Sequence, residues 1–301
     1  MSSYDIIRSV FDSIGCDYNE NTYLSACTSF RIGGKADFFV VPDSVEMLLS
    51  VLSACRENGI RYFIIGKGSN LLVADDGFRG VVISTSGLDK IELIDETSIY
   101  CQSGVTLSKL CRFALDNSLS GLEFAFGIPG SAGGAAYMNA GAYNGEMKDV
   151  LYKCDHISAD GQIASFEGEE LDLSYRHSVY SKSDMVITGL YIKLQKGDKN
   201  VIKARMEELM SKRRDKQPLE YPSAGSTFKR PEGYFAGKLV EDCGLKGYTV
   251  GGAQVSEKHA GFVINIVKAT ASDVLGVIEH CQKTVMDATG VMLEPEVEIV
   301  G

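Results

Sequence analysis

Arg61-Tyr62-Phe63-Ile64-Ile65 runs directly into Gly66-Lys67-Gly68-Ser69-Asn70-Leu71-Leu72-Val73. The first five residues are mostly β-branched or aromatic and read as a strand, which the glycines end in a tight loop. Upstream, Asp43 and Glu46 form a capping box ahead of Val45, Leu48, Leu49, Leu52 and Cys55, and Gly59 supplies the stop. That pattern predicts a helix. Helix, strand and glycine loop open a mixed pattern that the chain sustains. Strands are expected over 81–84, 91–93 and 99–103, a helix over 106–117, then strands over 151–159, 162–166 and 186–194. A polar helix over 199–214 leads to a boundary over 211–218, followed by a helix over 234–243, a strand over 261–266, a helix over 271–288 and a last strand over 296–300. Residues 121–145 stand apart, too apolar for a surface linker and too rich in glycine for a helix.

The chain has 301 residues, and at about 100–200 residues per domain it should hold two domains. Its 30 basic and 40 acidic residues give a net charge of −10, with no run of lysine and arginine able to track a phosphate backbone, so nucleic acid is not an expected partner. The first residues, Met1-Ser2-Ser3-Tyr4-Asp5-Ile6-Ile7-Arg8, carry charge within a short apolar stretch and do not read as a secretory signal. No apolar run approaches the about 18–20 residues of a membrane span, so a protein free of membrane insertion and resident in the cytoplasm is expected. Glycine is abundant at 32 residues, against 6 prolines, which means that backbone approaches something closely in several places.

Common chemical motifs fail one by one. Leu71 stands where a dinucleotide fingerprint wants a third small residue, and no Walker loop, Gly-x-Ser-x-Gly elbow or His-Glu-x-x-His run occurs. The 8 cysteines are scattered singly and the 4 histidines lack metal-ligand spacing, so free thiols in a reducing compartment and no metal site are expected. Two glycine loops remain, Gly66–Asn70 and Gly127-Ile128-Pro129-Gly130-Ser131-Ala132-Gly133-Gly134. Each is either a tight turn or a concavity of backbone N–H groups that takes a diphosphate. Two such loops beside an apolar, aromatic stretch favour a cofactor that carries a diphosphate and a flat ring.

The loops belong to a longer series. Ser29-Phe30-Arg31-Ile32-Gly33-Gly34-Lys35-Ala36-Asp37, the run 66–73, Ile128-Pro129-Gly130-Ser131-Ala132-Gly133-Gly134-Ala135 with Met138-Asn139-Ala140-Gly141-Ala142-Tyr143, Tyr175-Arg176-His177-Ser178, Ala224-Gly225-Ser226-Thr227-Phe228-Lys229-Arg230-Pro231 and Leu293-Glu294-Pro295-Glu296-Val297 follow in order. In this the chain resembles the UDP-N-acetylenolpyruvoylglucosamine reductase family, from about residue 29 to the end. With little room between Leu194 and Lys216 for an added substrate loop, it resembles the family's shorter class.

The resemblance implies an α+β chain. A vanillyl-alcohol-oxidase-like (PCMH-type) FAD-binding fold would occupy 30–196, in two subdomains split near 60–80. The segment 1–29 would pack on it, a connecting helix would span 197–215, and a smaller C-terminal α+β substrate-binding domain would span 216–301, its last strand returning to the active site. Lys67 stands in the first glycine loop, where relatives of the flavin fold with a covalent cofactor commonly hold a histidine, so the FAD should be non-covalent. The implied reaction uses NADPH as co-substrate and a UDP-sugar enolpyruvyl ether as the small-molecule substrate, and a monomer is expected. Hydride passes from NADPH to FAD and from flavin N5 to the β-carbon of the ether, which leaves negative charge spread from the α-carbon into the carboxylate.

Three residues match that chemistry. Arg176 suits the carboxylate because a guanidinium is permanently charged and grips it through two parallel hydrogen bonds. Glu296 stabilises the developing charge if burial keeps its carboxyl protonated, although strand alternation would place Glu294, Glu296 and Glu298 on one face and spacing does not separate them. Ser226 matches the proton donor. Cofactor contacts fall to Gly66, Lys67, Gly68, Ser69, Asn70 and Leu71 in the first loop and Gly130, Ser131, Gly133 and Gly134 in the second, while Lys216 and Arg230 would meet the substrate's diphosphate. The alternatives are another flavin-dependent sugar or alcohol oxidoreductase of the same fold and a flavin-binding regulator, which would need no convergence of Arg176, Ser226 and Glu296.

Overall fold

The structure, a computed structural model, describes residues 2–301; Met1, the first residue of the expected N-terminal segment, lies outside them. The chain forms two compact units whose segments alternate along the sequence. One takes the described residues up to Asn19, Phe38–Lys67 and Gly80–Lys212; the other takes Glu20–Asp37, Gly68–Arg79 and Arg213–Gly301.

In the first unit, helix α1 (Ser3–Ile14) starts on a reciprocal box between Ser2 and Asp5 and stops at Gly15 in the left-handed conformation. The sequence reading passed over this helix, although the Ser2/Asp5 pair and the spacing of Ile7 and Phe11 signal it. Both residues are fully buried with Phe38, Leu48, Leu52, Val81 and Ile83. Helix α2 (Val45–Glu57) begins one residue later than expected: Ser44, not Asp43, is the N-cap, its side chain accepting from Met47 N. The strand Tyr62–Ile65 runs parallel to Phe78–Ser84, with Tyr62 opposite Val81.

Five antiparallel strands form a further sheet of this unit, in the order Ile163–Glu167, Leu151–Ile157, Val186–Lys193, Ser98–Gln102 and Ile91–Leu93. Helix α3 (Leu107–Asp116), capped by Thr106, shares its core. So does α4 (Ala132–Tyr137), which corrects the reading of 121–145 as free of helix. Its alanines, two of them fully buried, supply propensity that its glycines remove, and Ser131 caps its start. Helix α5 (Lys199–Lys216) closes this part of the chain, separated from the strand ending at Lys193 by residues 194–198 alone, among which Gln195 and Lys196 pair with Ser120 and Leu119.

His156 is fully enclosed in the antiparallel sheet, stacked on Phe166 at 4.6 Å with Nδ1 3.2 Å from the buried Tyr180 hydroxyl. Burial lowers its pKa below the ordinary 6.5. The unfolded chain therefore takes up a proton near 6.5 that the folded chain refuses, so this contribution is complete above that pH and is lost as pH falls through and below it. The urea midpoint is expected to drop between about pH 7.5 and about pH 5.5, and to drop less in His156→Phe.

The second unit contains helices α6 (Ala236–Asp242) and α7 (Ala271–Thr289) and the antiparallel strands Thr249–Val250, Ala253–Val255 and Val263–Asn265. Glu298–Val300 pairs in parallel with Leu71–Val73, so the C-terminal strand lies beside the residues that leave the first glycine loop. Asp75, just beyond, accepts from Ala271 N at 2.7 Å, Ser272 N at 3.1 Å and Ser272 Oγ at 2.9 Å, placing a carboxylate on the positive end of the 19-residue α7. All 8 cysteines are free. Among the described residues no helix is long and apolar enough to cross a membrane.

Candidate active site

The two glycine loops meet. A Cβ on Gly66 would lie 2.3 Å from Ser131 Oγ, so the first loop passes the second at a distance that only glycine allows. They differ in what their amides do. In the second loop Ala132 N donates to Val105 O at 2.7 Å, Gly133 N to Ser103 O at 2.8 Å and Gly134 N to Ser131 Oγ at 3.3 Å. Those amides serve the fold, which corrects the expectation of an open row of donors in both loops. In the first loop, among the described residues, the amides of Lys67, Gly68 and Ser69 meet no acceptor of the chain, and Gly68 is left-handed at φ 58°. Successive donors about a left-handed glycine form a nest for an anion. Ser103 is 1% exposed, its Oγ has no hydrogen-bond partner among the described residues, and its Cβ lies 2.7 Å from where a Cβ of Gly133 would sit. Each feature taken by itself, the nest of the first loop and the close glycine passage with its orphaned hydroxyl in the first unit, fits a diphosphate-bearing cofactor. Sequence reasoning missed Ser103, because a lone serine at a strand end carries no signal.

Gly66→Ala is expected to drive Ser131 off its cap and narrow this passage, costing about 1 kcal/mol in the cap and weakening binding of the FAD that the resemblance implies by about tenfold or more. Flavin fluorescence titration of the apoprotein checks it; unchanged affinity would clear Gly66 of any part in the cradle.

Arg176 occupies a tight turn of the same unit. Ser174 and His177 exchange backbone hydrogen bonds at 3.2 and 3.1 Å, enclosing Tyr175 and an Arg176 whose φ is +53°. A non-glycine residue in that region costs free energy and marks a position the surroundings impose. The half-buried guanidinium lies over the Tyr175 ring at 5.2 Å, and His177 Nε2 is 2.9 Å from Asp172.

The second unit joins Ser226 to Glu296. Thr227, 5% exposed, uses every polar group: its N donates to Gly261 O at 2.8 Å, its Oγ1 accepts from Val263 N at 2.9 Å and its O accepts from Glu296 N at 2.8 Å. Phe228 bridges Pro295, and Lys229 N reaches Glu294 O at 2.8 Å. Ser226 and Glu296 therefore flank one buried residue, although 70 positions separate them in sequence. Gly225, left-handed at φ 79°, turns the chain into this ladder. The last strand is Glu298–Val300, so Glu296 lies outside it, which corrects the strand over 296–300 and its single-face argument. The three glutamates part: Glu294 pairs with Lys229 at 3.5 Å, Glu298 pairs opposite Leu71, and Glu296 is the half-buried one beside Ser226. Glu298 is exposed at its surface, yet the protein packed about its carboxyl raises its pKa.

Asn70 ties the first loop to this ladder. Its Nδ2 donates to Glu296 O at 3.0 Å and its O accepts from Glu298 N at 2.9 Å, which leaves the amides nearby, not its side chain, for an anion. Leu71 is buried in the strand beyond. Lys216 ends α5, exposed, and Arg230 holds its guanidinium 4.6 Å from the Phe235 ring centre. Ser29, unassigned in the sequence reading, steadies this region from Ser-Phe-Arg-Ile: its N donates to Gly68 O at 3.0 Å and its Oγ to Ser223 O at 2.7 Å.

Residues 36–167 match the family model described as an FAD binding domain, and residues 217–300 match that described as the UDP-N-acetylenolpyruvoylglucosamine reductase C-terminal domain. A UDP-N-acetylenolpyruvoylglucosamine reductase of Clostridium novyi is 52% identical over 285 residues, 95% of this chain and 92% of its own. Another, from Caldanaerobacter subterraneus, is 49% identical over 274 residues, 91% of this chain and 90% of its own. The crystal structure of the reductase of Thermus caldophilus superposes with a TM-score of 0.80 at 33% identity, covering 95% of this chain and 99% of that one.

Proposed function

The chain belongs to the UDP-N-acetylenolpyruvoylglucosamine reductase family, and on that premise we propose that Arg176, Ser226 and Glu296 carry its reaction. It is an oxidoreductase with a vanillyl-alcohol-oxidase-like α+β fold that uses FAD and NADPH to reduce UDP-N-acetylglucosamine enolpyruvate to UDP-N-acetylmuramate in peptidoglycan synthesis. Bound FAD supplies two-electron transfer from NADPH to the enolpyruvyl β-carbon. Lys67, Gly68 and Ser69 would hold its diphosphate through their backbone amides, with Gly66, Asn70, Leu71, Gly130, Ser131, Gly133 and Gly134 shaping the passage.

The chain's own residues do the rest. Arg176 binds the substrate carboxylate and gains strength as charge builds there. Glu296 donates a hydrogen bond to the same developing charge, and Ser226 gives its hydroxyl proton to the α-carbon. Lys216 and Arg230 would draw the substrate diphosphate. Flavin binding is assigned to 30–196 and substrate binding to 216–301, joined by a connecting segment that the sequence reading put at 197–215 and that holds helix α5 (Lys199–Lys216), in a cytoplasmic bacterial monomer with the cofactor held non-covalently.

The observation that carries this reading is Thr227, which seats Ser226 and Glu296 on either side of one buried anchor. The test is anaerobic: NADPH should bleach the flavin, and the enolpyruvyl nucleotide should then restore its colour. Bleaching by a sugar donor with no response to NADPH would support the other flavin oxidoreductase. Yellow cofactor released on denaturation would show that it is not covalently attached.

A further inference from the structure

Asn139 is 1% exposed and left-handed at φ 43°, two residues beyond the end of α4. Its amide is engaged at both ends: Nδ2 donates to Ser174 O at 3.0 Å and Oδ1 accepts from Lys148 N at 2.9 Å. A carbonyl faces one end and an N–H the other, so the amide fits one way round only. Ser174 is the residue whose backbone closes the turn around Arg176, and its carbonyl accepts from both His177 N and Asn139. A second tie lies beside the first. Tyr137 O, at the C-terminal end of α4, accepts from Ser178 Oγ at 2.6 Å and Ser181 Oγ at 2.8 Å. The N-cap of α4 is Ser131, the residue that meets Gly66. Helix α4 is thus a six-residue strut with the flavin loops at one end and the Arg176 turn at the other.

We propose that Asn139 is a positioning residue for the reduction step: by clamping Ser174 to the end of α4 it holds the strained Arg176 turn at a set distance from the flavin loops, and so places the guanidinium for the substrate carboxylate. This rests on the reading of Arg176 given above. Left-handed backbone at Arg176 costs free energy that surrounding hydrogen bonds must offset, and the bond from Asn139 to Ser174 O is one of those that hold the turn. Asparagine suits the position twice over, tolerating that backbone and offering a donor and an acceptor from one rigid group.

The test uses the holoenzyme. Asn139→Asp preserves size and the bond from Lys148 N but loses the donor and sets a carboxylate against Ser174 O. NADPH should reduce its flavin within about twofold of the parent rate, while reoxidation by subsaturating enolpyruvyl nucleotide slows about tenfold or more. In an Arg176→Ala background the same change should cost less than about twofold, because a residue acting through Arg176 has nothing left to position. Losses that multiply across the two sites, or a parent-like reoxidation rate in Asn139→Asp beside a slow Arg176→Ala, would overturn the clamp. Normal reoxidation in Arg176→Ala would overturn the reading of Arg176 and the clamp with it. Asn139→Gly, whose backbone adopts the left-handed conformation freely, should repeat the pattern and guards against a folding defect in the first variant.

Discussion

Ser226→Ala is expected to keep its FAD and its reduction by NADPH, and to slow reoxidation of the flavin by the enolpyruvyl nucleotide by about 10²–10⁴-fold. Among the described residues nothing in the chain takes the Ser226 hydroxyl proton, so the substitution removes no internal hydrogen bond and should cost little stability. A serine hydroxyl is a weak acid, but the carbon that receives its proton has just gained an electron pair and is a strong base. What the protein must supply is aim. Thr227 supplies it by fixing the backbone on both sides, so a water in place of the hydroxyl would lack orientation and proton transfer would limit turnover. Rapid mixing of NADPH-reduced protein with substrate separates the two half-reactions. Equal loss in both, or in neither, would remove Ser226 from the chemistry.

Arg176→Ala is the second large effect, expected at about 10²–10³-fold in the rate constant for reoxidation. A partner that merely attracted the ground-state carboxylate would raise the substrate concentration needed and leave the saturated rate unchanged. In the proposed role the carboxylate takes on further charge as hydride arrives, so the guanidinium would bind the transition state more tightly and its loss would lower the saturated rate too. Arg176→Lys should recover part of this, since an ammonium keeps the charge but not the two-pronged grip. The readout is the saturated rate against substrate affinity, and a change confined to affinity would reduce Arg176 to a docking residue.

The element types were largely legible. Periodicity and capping chemistry found the helices near α2, α3, α5, α6 and α7 and about half of the described strands to within a few residues, because local propensity and core pattern agree there; the strands Asp17–Tyr23 and Lys35–Val41 went unread. α1 went unread, and α4 was missed because a glycine count outweighed its buried alanines and its serine cap. The site was legible as motifs only. Nothing in the runs around 66, 128, 176, 226 and 296 says that the second loop spends its amides on Val105 and Ser103, or that Asn70 reaches Glu296.

By itself the sequence determined what each piece can offer: a strand that must end at Gly66, a hydroxyl, a guanidinium and a carboxyl set in ordered motifs, and enough apolar residues for the cores around them. Tertiary structure decided which pieces are neighbours. Leu71–Val73 beside Glu298–Val300, Thr227 between Ser226 and Glu296, and Gly66 against Ser131 are pairings across tens to hundreds of residues. The first two rest on backbone hydrogen bonds that are the same for every residue type, so they leave no mark on composition or spacing; the third needs a glycine, but a glycine does not say what it will pass, and all three emerge only when the cores around them close.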